Sequence, residues 1–242
     1  MGNIYLTSDL HFCHDREFCY GPRGFSSVEE MNDAIVTNYN NIVTDDDIVY
    51  ILGDCMLNNN TKGIELLSLL KGHKYIALGN HDTTVRLEKY LPYVEDVQVG
   101  YRFRHKKIEF WLTHYPMIMK NFTDPKPVWN LSGHTHSKDK FENGKYNIYN
   151  VALDAHDNKP VLLDDIVYEI RKYMAQEREK ETNKLADGPF GVKLLKDKIE
   201  TANHFLQHCN KCVEFPYYCS GGFSCPPGLK YRRDPPDGGY YG

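Results

Sequence analysis

Two stretches, "IVYIL" at 48–52 and "YIAL" at 75–78, are apolar without a break, and each stops at a turn bearing polar groups: Gly53-Asp54 after the first, Gly79-Asn80-His81-Asp82 after the second. An alternating strand leaves one face wet, whereas a continuous apolar run of this length predicts a strand covered on both faces. "NIYLTSD", "KIEFWLTH" and "WNLSGH" add strands rich in β-branched and aromatic residues and bounded by turn formers. Helical patterns separate them. "SSVEEMNDAIVTNYNNIV" carries Ser27 as N-cap with Glu30 completing a capping box, and "TKGIELLSLL" and "TVRLEKYL" follow. Strand–helix alternation of this kind predicts a layered α/β domain. "VQVGYRFRHKKIEFWLTH" departs from the alternation: two strand-like stretches flank "HKK", which predicts a hairpin.

With 242 residues the chain can hold one sizeable α/β domain and an appendage. The boundary is read at "ADGPFG", 186–191, giving a domain over 1–185 and a Cys-rich tail over 192–242. The "EREKETNK" run in the helical segment before the boundary reads as a solvated helix face. No apolar run approaches the ~20 residues that cross a bilayer, and "MGNIYLTSDL" has neither a basic n-region nor a signal core. Leu6 stands where N-myristoylation requires Ser or Thr. A soluble, cytoplasmic protein with no membrane partner is expected. The net charge of -4 excludes long-range attraction to a polyanion as the design, although a local basic patch remains compatible with it.

The seven cysteines fall into two groups: Cys13, Cys19 and Cys55 are scattered, whereas Cys209, Cys212, Cys219 and Cys225 crowd together. That pattern reads as reduced thiols plus one local cluster rather than a disulfide framework. The tail four have the count for a structural zinc, with His204 and His208 as spare donors; unmetallated thiols, or disulfides under oxidant, are the alternatives. Around them Lys211, Lys230, Arg232 and Arg233 alternate with Phe215, Tyr217, Tyr218, Phe223 and Tyr231. Such a mixture can stack on single-stranded nucleic acid, dock a protein, or cover the main domain.

The ends of the expected strands hold the chemistry. In turn they deliver Asp9 and His11, Asp54, Asn80, His114, and then His134 and His136. Ligands of layered α/β folds bind beyond the carboxyl ends of strands, so residues spread from 9 to 136 should converge. Two carboxylates, one amide and four imidazoles with no thiolate suit Mn, Fe, Zn or Co. Seven donors exceed the needs of one ion; they suit two cations about 3.5–4 Å apart, bridged by a carboxylate, an arrangement that clamps a phosphoryl displacement. Gly53, Gly79 and Gly133 fit turns that need positive φ or close backbone approach. His73, His105 and His156 read as satisfied polar residues, and Cys55 reads as a small buried apolar residue rather than a nucleophile.

The order D-x-H, G-D, G-N-H-D, an isolated His and G-H-T-H resembles the motif series of the calcineurin-like metallophosphoesterases, especially the small single-domain bacterial and phage type. The resemblance spans roughly 3–170, with "NVALDAH" and "KPVLLDDI" at its close. It implies a four-layer α/β/β/α sandwich and metal-dependent hydrolysis of phosphomonoesters or phosphodiesters, with small phosphoesters or nucleotides as substrates. It also implies two divalent metals (Mn, Fe or Zn), the first held by Asp9, His11 and His136 and the second by Asn80, His114 and His134. Asp54 bridges them together with a hydroxide that attacks phosphorus in line. His81 is implied as the catalytic residue, outside the ligand set, and Asp82 as its orienting partner or a support behind the ligands. His14 and Arg23 are candidate substrate contacts. Cys13 stands where relatives commonly carry Gly, and "CMLNNN" after Asp54 lacks the Arg of the protein Ser/Thr phosphatase signature, which argues against a phosphoprotein phosphatase. An alternative reading has the tail, as a zinc knuckle, deliver the catalytic domain to a nucleic acid or protein.

Overall fold

The continuous apolar runs become adjacent parallel strands. The computed structural model describes residues 2–119, 128–142 and 147–187. Two compact units divide the chain, Met1–Lys172 and Tyr173–Gly242. The described part of the second unit is the remainder of one helix, to Asp187.

In the first unit, β1 (Ile4–Thr7), β2 (Ile48–Ile51), β3 (His73–Ala77) and β4 (Asp96–Gln98) lie side by side in parallel, and β10 (Val161–Leu162) closes the other edge antiparallel to β1. The register pairs Thr7 with Ile51 and Ile51 with Ile76, so the polar turns after these strands leave the sheet from one edge. A second sheet has the order β5 (Gly100–His105), β6 (Ile108–Thr113), β7 (Val128–Ser132), β9 (Ile148–Asn150) and β8 (Phe141–Glu142). Here β6, β7 and β9 run parallel, so β6 and β7 also deliver their tips to one edge.

Helices α2 (Val28–Asn40), α3 (Asn60–Ser68) and α4 (Thr84–Tyr90) connect the first strands, with a short α1 (Glu17–Tyr20) before them. Met31, Ile35 and Tyr39 of α2, Leu66 and Leu67 of α3 and Tyr90 of α4 form one core with Tyr5, Val49, Ile51 and Ile76. Each large apolar side chain buried this way contributes about 1.5–3 kcal/mol. The opposite face of the sheet turns to its neighbour, where Tyr50 meets Tyr101 and Phe103 at 5.2 and 5.5 Å between ring centres and the Tyr101 hydroxyl donates to the Ile76 carbonyl. Strands with a helical layer on one side and a sheet on the other are apolar throughout for this reason. The last helix, α5 (Leu163–Asp187), buries Leu163, Ile166, Val167 and Ile170, and Tyr149 of β9 donates to its Glu169 at 2.8 Å.

Two local expectations are refined. The hairpin between β5 and β6 turns on Lys106 and Lys107, both left-handed at φ 46° and 70°, the two-residue turn whose twist suits paired strands. Ser27 does cap α2, its hydroxyl accepting from the Glu30 amide at 3.2 Å, but the Glu30 carboxylate reaches one residue further back, to the Ser26 amide at 2.7 Å.

Candidate metal centre

Loops past the strand tips have unusual backbones. Asp9, His11, Asp54, His134 and His136 all occupy the left-handed region, at φ 58°, 49°, 53°, 73° and 50°, as does Cys13 at 63°. Each such residue other than glycine costs on the order of 1–2 kcal/mol, and clusters of them mark sites where geometry is held for a purpose. Cys13 takes the same strained backbone, its amide donating to Asn32 Oδ1 at 3.1 Å. Gly53 is left-handed at φ 88°, and a side chain there would strike the Gly79 amide and the His114 ring, each at 2.7 Å. A side chain at Gly79 would hit Asp54, and one at Gly133 would hit Ser8 and Asp9. Close approach is the requirement shared by all three glycines.

Hydrogen bonds lock the loops together. Asp9 donates its amide to the Gly53 carbonyl at 3.1 Å and His11 to that of Asp54 at 3.0 Å. The His134 amide donates to Asp9 Oδ2 at 2.9 Å, crossing from the second sheet to the first. Asp82 ties two turns with one carboxylate: it accepts from the amides of Gly79 (2.9 Å), Asp54 (2.8 Å) and Cys55 (3.3 Å) and from the Tyr90 hydroxyl (2.7 Å). It thus supports the backbone on either side of Asp54.

Two groups of acceptor atoms converge. In one, His11 Nε2 lies 3.1 Å from His136 Nε2, and Asp9 Oδ1 is 3.8 Å from both. In the other, His114 Nε2 lies 2.9 Å from Asn80 Oδ1, 3.2 Å from His134 Nδ1 and 3.5 Å from Asp54 Oδ2. Asp54 Oδ2 is also 3.7 Å from His11 Nε2, so it faces both groups. Ligands bonded at about 2.0–2.2 Å to a shared cation stand roughly 2.8–3.6 Å apart; the spacings around His114 and that between His11 and His136 fall in this range, and the 3.7–3.8 Å spacings to Asp9 Oδ1 and from Asp54 Oδ2 to His11 lie just beyond it. The tautomers agree. His114 Nδ1 is 2.8 Å from the Leu52 carbonyl, which can only accept, so Nε2 presents its lone pair inward. Asp9 Oδ1 is buried without a hydrogen-bond partner among the described residues, a costly state for a carboxylate unless a cation faces it. The donor set therefore fits a cation in each group.

Charge states follow from burial and neighbours. Burial, reinforced by Arg23, pushes His11 down to about 2, which keeps the imidazole in its neutral, ligating form. Burial raises the Asp54 carboxyl. The hydrogen bond to Asp154 raises His136; burial opposes the ionised form of Asp154, but bonds from His136 and Arg23 outweigh it and hold that carboxyl low. Burial lifts the Cys55 thiol well above its ordinary range, as befits an inert apolar residue.

The remaining expected residues are placed as follows. His81 lies at the rim, its side chain 39% exposed, with its amide donating to Asp54 Oδ1 at 2.9 Å and its Nε2 3.8 Å from Asp54 Oδ2. His14 packs beside His11 and His81, at 5.2 and 6.4 Å between ring centres. Arg23, a candidate substrate contact in the sequence, is a buried side chain bound to Asp154 and to the main-chain oxygens of Asp9 and Leu10. An arginine in a glycine-flanked loop looks solvated in sequence; only the fold reveals its acid partner. Asp154, the brace on His136 (3.0 Å), is not among the residues singled out in the sequence, because nothing in "NVALDAH" shows which residue of another loop it will meet. His73, His105 and His156 pair with Glu95, Asp164 and the Asn150 carbonyl, as satisfied polar residues do. Cys209, Cys212, Cys219 and Cys225 lie outside the described residues, as do their basic and aromatic neighbours. Among the described residues no helix is long and apolar enough to cross a membrane.

The calcineurin-like phosphoesterase family matches residues 2–191 of the sequence. The chain belongs to this family. A protein of Methanocaldococcus jannaschii, itself uncharacterized, is 38% identical, across 71% of this calcineurin-like phosphoesterase and 93% of its own length. The gene 66 protein of mycobacteriophage L5 is 28% identical, across 57% and 79% respectively. A solved protein of unknown function from Aquifex aeolicus shares the fold, with a TM-score of 0.57 at 21% identity, covering 69% of this chain and 99% of its own. Membership makes the chain a hydrolase of phosphoesters for which divalent metals are the family expectation, and Asp9 with His11 and His136, or with Asp54 and His114, are groups that could hold a metal ion.

Proposed function

We propose that the protein hydrolyses phosphomonoester or phosphodiester bonds in small phosphoesters or nucleotides, with two divalent cations (Mn, Fe or Zn) as cofactors. The observation that carries the reading is Asp54 Oδ2, placed between two groups of inward lone pairs, 3.5 Å from His114 Nε2 and 3.7 Å from His11 Nε2. Asp9, His11 and His136 hold one cation and Asn80, His114 and His134 the other, with Asp54 shared. Oxygen and imidazole donors without thiolate favour borderline divalent ions. When bound, the pair supplies Lewis acidity, neutralising phosphoryl charge and bringing the pKa of water toward 7. The His81 amide is hydrogen-bonded to Asp54 Oδ1, and its ring, with Nε2 3.8 Å from Asp54 Oδ2, stands at the rim to protonate the leaving oxygen or to stabilise charge on the phosphoryl group. His14 beside it is the nearer candidate for a phosphate contact. Phe18, 73% exposed and edge-on to His14 at 5.4 Å, and Tyr115, 4.5 Å from the His134 ring, offer aromatic surface to the organic part of a substrate, a nucleobase included.

The test is a panel of phosphomonoesters, phosphodiesters and nucleotides given to the purified full chain with Mn(II), alongside elemental analysis. Turnover with two metals per chain, abolished by a chelator, is expected. Two bound metals with no turnover on any phosphoester would overturn the reading.

A further inference from the structure

Arg23 is an odd resident of this centre. Its side chain is 1% exposed and its charge is positive, a few residues from where cations are expected. Nε and Nη2 form a two-pronged pair with Asp154 Oδ1 and Oδ2 at 3.1 and 2.8 Å. Nη2 also donates to the main-chain oxygen of Asp9 at 2.7 Å, and Nη1 to that of Leu10 at 3.4 Å. Asp154 Oδ2 in turn accepts from His136 Nδ1 at 3.0 Å. One connected set of bonds therefore joins the left-handed Asp9–His11 loop of the first sheet to the His136 loop of the second.

Stability alone does not account for this pair. A buried ion pair is often replaceable by apolar residues without loss, since desolvation offsets the attraction. What apolar residues could not do is set an imidazole tautomer and fix a carbonyl. Asp154 keeps the His136 proton on Nδ1, so Nε2 presents its lone pair 3.1 Å from His11 Nε2. Arg23 neutralises Asp154 and pins the backbone that aims Asp9. His114, by contrast, takes its orientation from the Leu52 carbonyl at 2.8 Å, and neither Arg23 nor Asp154 touches it.

We infer that Arg23 and Asp154 are positioning residues for cation binding by Asp9, His11 and His136, and that the Asp54, Asn80, His114 and His134 group feels them only indirectly, through Asp9 and its bond from the His134 amide; the inference rests on the two-cation reading above. Residues behind the ligands of a metal typically set its affinity by about 10–100-fold.

The experiment uses the full chain titrated with Mn(II), read by elemental analysis, calorimetry and electron paramagnetic resonance. Wild type should take up two Mn(II) that couple magnetically. In Asp154→Asn, which keeps the size of the side chain and an acceptor for Arg23, one affinity should fall about 10–100-fold while the other stays within about 3-fold. The coupled signal should give way to that of isolated Mn(II). The double variant Arg23→Met with Asp154→Leu removes both buried charges together, so it should keep the thermal midpoint near wild type yet show the same single loss. Retention of two coupled Mn(II) by that folded double variant would overturn the inference, as would equal weakening of both sites in Asp154→Asn. Wild type binding fewer than two Mn(II) would instead defeat the two-cation reading, and the inference with it, before any substitution is made.

Discussion

The two acceptor groups meet at Asp54 yet are built differently. The His114 side chain is fully buried, 0% exposed, and is oriented by a main-chain carbonyl, whereas His136 is 41% exposed and oriented by a carboxylate side chain. A main-chain brace cannot be substituted away; it is protected by glycines that let Leu52, Gly53 and Gly79 come close. A side-chain brace can be tuned by one substitution, and it adds a charge that needs its own partner, here Arg23. The same ligand chemistry thus rests on backbone shape on one side and on an electrostatic relay on the other.

Substitutions can break this contrast or sharpen it. The largest effect is expected from Asp54→Ala, because the shared oxygen faces both groups. Both metals should be lost and kcat should fall by about 10³-fold or more, at least ~4 kcal/mol of barrier; elemental analysis that still finds one tightly held ion would show that the groups are independent. His81→Ala comes next: metal content should match wild type while kcat drops about 10²–10⁴-fold, and loss of either ion would move His81 into a ligand set. Gly53→Ala tests the backbone brace. Left-handed strain and the clash with His114 and Gly79 should destabilise the fold by about 2 kcal/mol or more, measured by urea unfolding, and a neutral result would remove the argument for close approach.

The smallest effect is in pH dependence. The Asp154 carboxyl is held low, so its contribution to stability is present above the unfolded value near ~3.9 and is lost as pH falls through the folded one. His136 is raised, so its contribution is present below ~6.5 and is lost as pH rises through its folded value. In metal-free protein the relay therefore contributes most between about pH 4 and 6.5. The thermal midpoint of the chelated wild type should show a shallow maximum there that Asp154→Asn flattens; an unchanged profile would mean that the relay adds nothing without metal.

Much of this was legible beforehand because it depends on local pattern. Unbroken apolar runs gave β2 and β3, and polar tips after strands gave the convergent donors. The hairpin at Lys106 and Lys107 was readable from the two strand-like stretches beside it although neither turn residue is glycine or asparagine. What escaped were contacts decided by the packing of one sheet on the other. Arg23 and Asp154 lie in stretches whose local sequence gives no hint that they meet. The left-handed backbones of Asp9, His11 and Asp54 escaped as well, since Asp and His adopt that conformation more often than most residues but still too rarely for their identity alone to signal it. Asp82 announced itself by the G-N-H-D motif, but its grip on the Asp54 and Cys55 amides depends on two turns being adjacent in space.

Arg23 and Asp154 are 131 positions apart. A chain still leaving the ribosome exposes most of the ion-binding side chains well before it can lock the first group into shape. A fragment ending short of Asp154 would therefore carry all seven candidate donors yet lack the carboxylate that orients His136.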